Sequence, residues 1–496
     1  MHLLQHDKHN RRAFLQRAGQ LGLAGVATPL ALNLAAMGEA AAFGATDYKA
    51  MVCVFLYGGN DYANTVVTYD TDRHADYARI RAAGAGTAVG SIVLERSSLS
   101  NTLLKPSVPL RNPNFHDASY ELQYALHPAL NNMARLFNTG KAAVQLNVGP
   151  LVVPLTRQQY NSQQTQLYPL PPKLFSHNDQ QSLWQASTPE GATTGWGGKI
   201  GDLALNSNSD SLFTCISVTG NSVFLSGNNA LQYQCSTDGA IAVRSLNDQY
   251  FYQPAMRDAF AQLLRQTSPH TLKNEYNAVM RRALTAESKV TNALAGVNLK
   301  TPFPAGQNKF NSLTDQLKMV AKLIGARNTL GAKRQVFMVS LGGFDLHDNL
   351  IARQPSLLAE VDQAISAFYD ATVELGVADK VTTFTASDFG RTLTSNGDGS
   401  DHGWGSHHLI VGGAVRGAAF YGEAPPVSVG DSSAPQDQWH VGQGRLLPRT
   451  SVDQFAATLA TWFGVAPSEL NGILPNLKHF GNAAGRLDYP TQLGFV

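Results

Sequence analysis

Four short apolar runs, each closed by glycine and polar residues, constrain this chain more than any other feature. Residues 51–56, 142–146, 336–341 and 381–385 are rich in β-branched side chains and bounded by Gly, Asp or Asn. Such runs read as strands buried on both faces. Between them, residues 122–137, 311–324, 355–375 and 452–463 carry apolar side chains near the 3.6-residue helical period. Strands alternating with helices predict an α/β fold, a mostly parallel sheet with helices on both faces. Residues 211–233 read as a β-hairpin insertion. Residues 252–299 read as a helical insertion whose Lys, Arg and Glu residues form a solvated face. No fixed-period repeat is present. One large domain over 45–496, with insertions at about 205–245 and 250–300, is expected rather than three.

Residues 1–44 read as an address. Asn10-Arg11-Arg12-Ala13-Phe14-Leu15 precedes a weakly apolar stretch, and Ala40-Ala41-Ala42 closes it. A charged front, an apolar middle and a small-residue end make a secretory signal. The paired arginines followed by x-Phe-Leu match the twin-arginine type, so the export machinery of that route is an expected partner. Gly19, Gly22, Gly25 and Pro29 dilute the apolar stretch, and no later segment reaches about 18 uninterrupted apolar residues. Cleavage near Ala42 would leave a periplasmic or otherwise exported chain with no stable membrane span. Four of the 38 basic and two of the 36 acidic residues leave with the signal, so the remainder is charge-balanced. That balance excludes a nucleic-acid partner held by overall charge. Three cysteines exclude a disulfide-rich scaffold. Cys215 and Cys235, flanking the expected hairpin, are candidates for one bridge, although spacing alone does not give their separation.

The chemistry gathers after the strands. In open α/β sheets, ligands bind outside the carboxyl ends of the strands. Residues 51–56 run into Tyr57-Gly58-Gly59-Asn60-Asp61, and residues 336–341 into Gly342-Gly343-Phe344-Asp345-Leu346-His347. Residues 381–385 run into Ala386-Ser387-Asp388-Phe389-Gly390-Arg391. Three aspartates on one edge repel one another unless a cation neutralises them. The polar loop 387–402 leads to Asp401-His402, with His407 and His408 beyond. Asp61, Asp345 and Asp388, with His347 and the imidazoles of His402, His407 and His408, are therefore expected to offer ligands to a divalent ion such as zinc, manganese or calcium. Taken singly, each is equally a loop cap or surface residue. Ser176, ahead of a short helix with Asp179 three residues on, reads either as an N-cap or as a nucleophile. His177 would orient a leaving group or bind an anion. Arg391 would hold a substrate oxygen or form a structural ion pair. His127, before Pro128, reads as a helix-start residue. Asp388-Phe389-Gly390 spells a kinase triplet, but the other kinase motifs are missing.

These residues resemble the family called domain of unknown function 1501. The resemblance is carried by residues 55–65, Leu126-His127-Pro128-Ala129-Leu130, Ser176-His177-Asn178-Asp179-Gln180 and Gly195-Trp196-Gly197. It continues through residues 341–347, residues 387–392 and Asp401-His402-Gly403. That family is in turn similar to the alkaline phosphatase and sulfatase superfamily. The second resemblance implies two metal sites, one from Asp61, Ser176 and Asp388, the other from Asp345, His347 and His402. Phe389 departs from the pattern, standing where the superfamily commonly has a ligand; either His407 or His177 substitutes, or only one metal binds. The implied activity is metal-dependent hydrolysis of an anionic phosphate or sulfate ester. The alternatives are a non-catalytic envelope binding protein for carbohydrate or protein, and a phosphotransferase or mutase.

Overall fold

The computed structural model describes residues 45–82, 91–112, 119–242, 246, 253–306, 312–485 and 488–496. The expected export signal, and the first residue of the expected helical insertion, lie outside them. The strands are β1 (Lys49–Leu56), β2 (Val66–Thr68), β3 (Tyr124–Leu126), β4 (Ala142–Gly149), β5 (Cys215–Ser217) and β6 (Gln232–Ser236). They continue as β7 (Gly239–Ala240), β8 (Arg334–Leu341), β9 (Val381–Ser387), β10 (Ser406–Gly412), β11 (Ala419–Tyr421) and β12 (Thr450–Ser451). Ten of them form one sheet in the order β11-β4-β10-β9-β1-β8-β5-β6-β7, with β12 also on β4. β1 pairs in parallel with both β8 and β9. β10 runs antiparallel to β9 and β4, and β7 antiparallel to β6.

The strand period of two explains why the sheet is covered on both sides. Along β1, Ala50, Val52, Val54 and Leu56 enter one hydrophobic cluster, while Met51, Cys53 and Phe55 enter the other. The first cluster is covered by helices Asn131–Asn138, Leu313–Gly325 and Leu350–Glu374. Helices His177–Ala186, Trp196–Ala204 and Val452–Phe463 cover the second. Ser312 caps the second of the former group, accepting from Asp315 N. A capping box formed by Ser451 and Gln454 starts the last. Among the described residues, no helix is long and apolar enough to cross a membrane.

Three expectations change. The helix over 122–137 begins only at Asn131, because Tyr124–Leu126 pairs as β3 with β2. His127-Pro128 then breaks the chain direction, since the residue before a proline disfavours helix. Residues 211–233 are not a hairpin: β5 and β6 are parallel, and the antiparallel hairpin is β6–β7. The cysteines are not bridged. Cys215 faces one cluster, Cys235 the other, and both thiols are free. The helical insertion is observed as Pro254–Arg265 and Thr271–Ala295.

The three central strands end level with one another, Leu56 opposite both Leu341 and Ser387. Just beyond, Asp61 caps helix Tyr62–Thr65 by accepting from Asn64 N at 2.9 Å. Its other oxygen meets Arg81 Nη2 at 2.7 Å, with the Asp61 and Arg81 side chains 2% and 0% exposed. Ser400 Oγ donates to the same oxygen at 2.8 Å. Removing one partner of such a buried pair strands the other charge, at about 3–5 kcal/mol. Asp61→Ala is therefore expected to lower unfolding stability by about that amount in urea denaturation. A loss below about 1 kcal/mol would show that the pair is not structural.

Candidate metal centre

Two glycines allow the strand-end loops to touch. Gly58, with φ +115°, lies so close to the Asp345 backbone that a Cβ would meet its nitrogen at 2.3 Å. A Cβ on Gly59, φ +80°, would meet the Phe389 ring at 2.4 Å. Gly58 N donates to Asp388 Oδ2 at 3.2 Å, and Gly58 O accepts from Arg391 Nη1 at 2.9 Å. The loops after β1, β8 and β9 are thereby locked together.

Asp345 sits at the centre of what they enclose. Its Oδ1 lies 3.1 Å from His347 Nε2 and 3.2 Å from His402 Nε2. The two Nε2 atoms are 3.0 Å apart. His177 Nε2 lies 3.3 Å from Asp345 Oδ2. Each imidazole has its other nitrogen held by an acceptor. His402 Nδ1 donates to Phe175 O at 2.8 Å, a carbonyl presented by a residue at φ +72°. His177 Nδ1 meets Asp388 Oδ2 at 2.7 Å, and His347 Nδ1 meets Asp401 Oδ1 at 3.1 Å. A carbonyl or carboxylate on Nδ1 fixes the proton there and leaves Nε2 as a lone pair. Three such lone pairs directed at one carboxylate are the outer-shell arrangement of a histidine metal site. Metal–ligand bonds of about 2.0–2.2 Å in tetrahedral geometry place ligand atoms about 3.3 Å apart. His177, Asp345 and His402 each offer a ligand atom within 4.8 Å of the other two, a group that could hold one divalent ion, with His347 Nε2 beside it at 3.0 Å from His402 Nε2.

The electrostatics agree. Burial, with the charges of His177 and Arg391, pushes His402 below its ordinary value, keeping it neutral. The hydrogen bond to Asp388 raises His177 above its ordinary value. Burial alone would raise the Asp345 carboxyl, but the Arg391 hydrogen bond and charge, with His177 and His347, hold it below its ordinary value. Asp345 and His347 remain open to solvent, 42% and 44% exposed at the side chain.

The expected ligands separate into two groups. Asp345, His347 and His402 come together, and His177 joins them. Asp388 stands one step back, its Oδ2 engaged by His177, Gln181 and Gly58. Asp61 lies outside the cluster, consumed by Arg81, Ser400 and its helix cap. Arg391 is buried, donating to Gly58 O, Asp345 Oδ1 and both oxygens of Ser400. It positions Asp345 instead of offering a guanidinium to an anion. Ser176 Oγ donates to Asp179 Oδ2 at 2.9 Å and makes no cap bond to the helix backbone. His407 and His408 are buried in β10, and burial pushes both down to about 3. His127 Nδ1 accepts from Ala129 N ahead of helix Asn131–Asn138, as expected of a helix-start residue. Phe389 is buried with its ring 4.9 Å from His177 and 4.7 Å from His402, walling the site. Sequence reading missed the anchors Asp401 and Phe175, although each immediately precedes a motif histidine or serine.

Solved structures that align with much of the chain share little of its sequence. A crystal structure of Ps i-CgsB in complex with k-i-k-neocarrahexaose aligns at TM-score 0.33 and 11% identity, over 90% of this chain and 78% of that one. The lipoteichoic acid synthase LtaP from Listeria monocytogenes aligns at 0.31 and 8%, over 86% and 74%. A mutant of the alkaline phosphatase PafA aligns at 0.27 and 10%, over 71% and 64%. No curated protein matches the sequence. The family described as "Protein of unknown function (DUF1501)" matches residues 48–470, and the chain belongs to that family.

Proposed function

We propose that the chain is an exported, metal-dependent hydrolase of phosphate or sulfate esters, with residues 45–496 as one α/β unit. The observation that carries this reading is the convergence of three Nδ1-anchored imidazoles on Asp345 at a solvent-open strand edge. A divalent ion bound there, zinc fitting the imidazole-rich donor set best, would polarise an ester oxygen as a Lewis acid. The chain's own groups do the rest. Arg391 holds Asp345, and Asp388 holds His177 in the tautomer that presents Nε2. Ser176, at the N-cap one residue before His177, is the proposed nucleophile, its hydroxyl proton directed at Asp179 Oδ2.

One observation favours a second reading, a non-catalytic envelope binding protein for carbohydrate or protein. Arg391 spends its donors on the protein, and Phe389 closes the wall where a further ligand was expected. The two readings separate on turnover.

Protein purified without added metal is expected to hold close to one divalent ion per chain by elemental analysis. His402→Ala should lose it, and Asp388→Asn should bind it about 10–100-fold more weakly. Unchanged content in both variants would remove the metal assignment. With 4-nitrophenyl phosphate and sulfate as probes, Ser176→Ala should lower turnover about a thousandfold or more while retaining the metal. Near-wild-type turnover would remove Ser176 as nucleophile. A loaded wild-type protein inert to both esters would favour the binding-protein reading.

A further inference from the structure

The helix Thr271–Ala295 carries an apolar stripe that the other described residues cover only at one end. Leu272, Tyr276, Val279, Ala283, Ala286, Val290 and Ala293 follow one another in alternating steps of four and three. That 3.5-residue repeat is the seam of a two-helix coiled coil. Its second half is used: Ala286, Val290 and Ala293 are buried in the main hydrophobic cluster. The first half is bare, with Leu272 77%, Tyr276 59% and Val279 46% exposed, and Ala283 exposed beside them. The neighbouring helix Pro254–Arg265 does not cover it. That helix is tied on by Asn277 and Arg281, which donate to Arg265 O and Gln266 O, and it leaves its own Met256 and Leu263 exposed.

We propose that the bare half is a pairing face for a second copy of this chain, with the two helices antiparallel. The charges beside the stripe carry this choice. Glu275 and Arg282 lie on one flank, seven residues apart, both exposed and joined at 3.3 Å within the chain. In an antiparallel pair, Tyr276 packs against Val279 of the second copy and Leu272 against its Ala283. The same register sets Glu275 opposite Arg282 of the second copy, twice over by symmetry. Flanking charges of this kind set partner and orientation in helix pairs. Parallel pairing would instead bring both bodies to the same end, where the stripe is already occupied.

Sedimentation equilibrium of the purified chain from about 1 to about 100 μM tests the pairing, because dimer fraction follows concentration. The wild type is expected to dimerise. Tyr276→Glu, at an exposed position, should be monomeric with an unchanged thermal melt. Glu275→Arg and Arg282→Glu should each weaken the dimer about tenfold, by replacing two attractions with repulsions. Mixing those two variants should form a heterodimer tighter than either variant alone, an effect the ion pair within one chain does not produce. A wild type monomeric throughout the range would overturn the proposal. So would a dimer untouched by Tyr276→Glu, or a mixture no tighter than its components.

Discussion

The buried guanidinium of Arg391 is the interaction on which the candidate site depends. It reaches Gly58 O after β1, Asp345 Oδ1 after β8 and Ser400 in the loop that follows its own strand β9. Taking a charge of this kind out of water costs several kcal/mol unless its donors are matched. Here they are matched by three loops at once, so the loops hold one relative position. Ser400 extends the connection to Asp61, and Asp61 to Arg81. Arg81, Asp61, Ser400, Arg391 and Asp345 thus form one line of polar contacts, buried at one end and open at the other.

That line supplies a division of labour among like residues. Asp61 and Asp345 both follow a central strand and both pair with an arginine. Asp61 keeps 2% of its side-chain exposure and closes a structural pair, whereas Asp345 keeps 42% and faces three imidazoles. The difference is made by neighbours. Arg81 arrives from helix Thr71–Arg81 and seals Asp61, while Gly58 and Gly59 let the Asp345 backbone and the Phe389 ring pack directly against the loop after β1. His177 adds a further donor, its ring 4.4 Å from that of His402 and 4.9 Å from that of Phe389.

Much of this was legible in the sequence, for physical reasons. Strands buried on both faces must be apolar along their whole length, so β1, β4, β8 and β9 announce themselves. Ligands gather at the carboxyl ends of such strands, which puts forward Asp61, Asp345, His347, Asp388 and His402; only the structure shows that Asp345, His347 and His402 come together. Long-range partners were not legible. Nothing local to Asp61 shows Arg81 approaching it, and nothing local to Arg391 shows that Gly58 and Ser400 will take its donors. The direction of pairing between β5 and β6 was hidden likewise: the intervening one-turn helix Val223–Leu225 lets the chain return in the same sense. His127-Pro128 was read as a helix start, and the pairing of the residues just before it with β2 emerges only in three dimensions.

The central claim is that one metal ion is held by ligand atoms of His177, His402 and the Asp345 carboxylate, with His347 beside them. Anomalous scattering from crystals soaked in zinc or manganese tests it most directly. The account predicts a single strong peak within about 2.0–2.2 Å of those atoms. A peak between Asp61 and Asp388, or none at the Asp345 cluster in saturating metal, would contradict it.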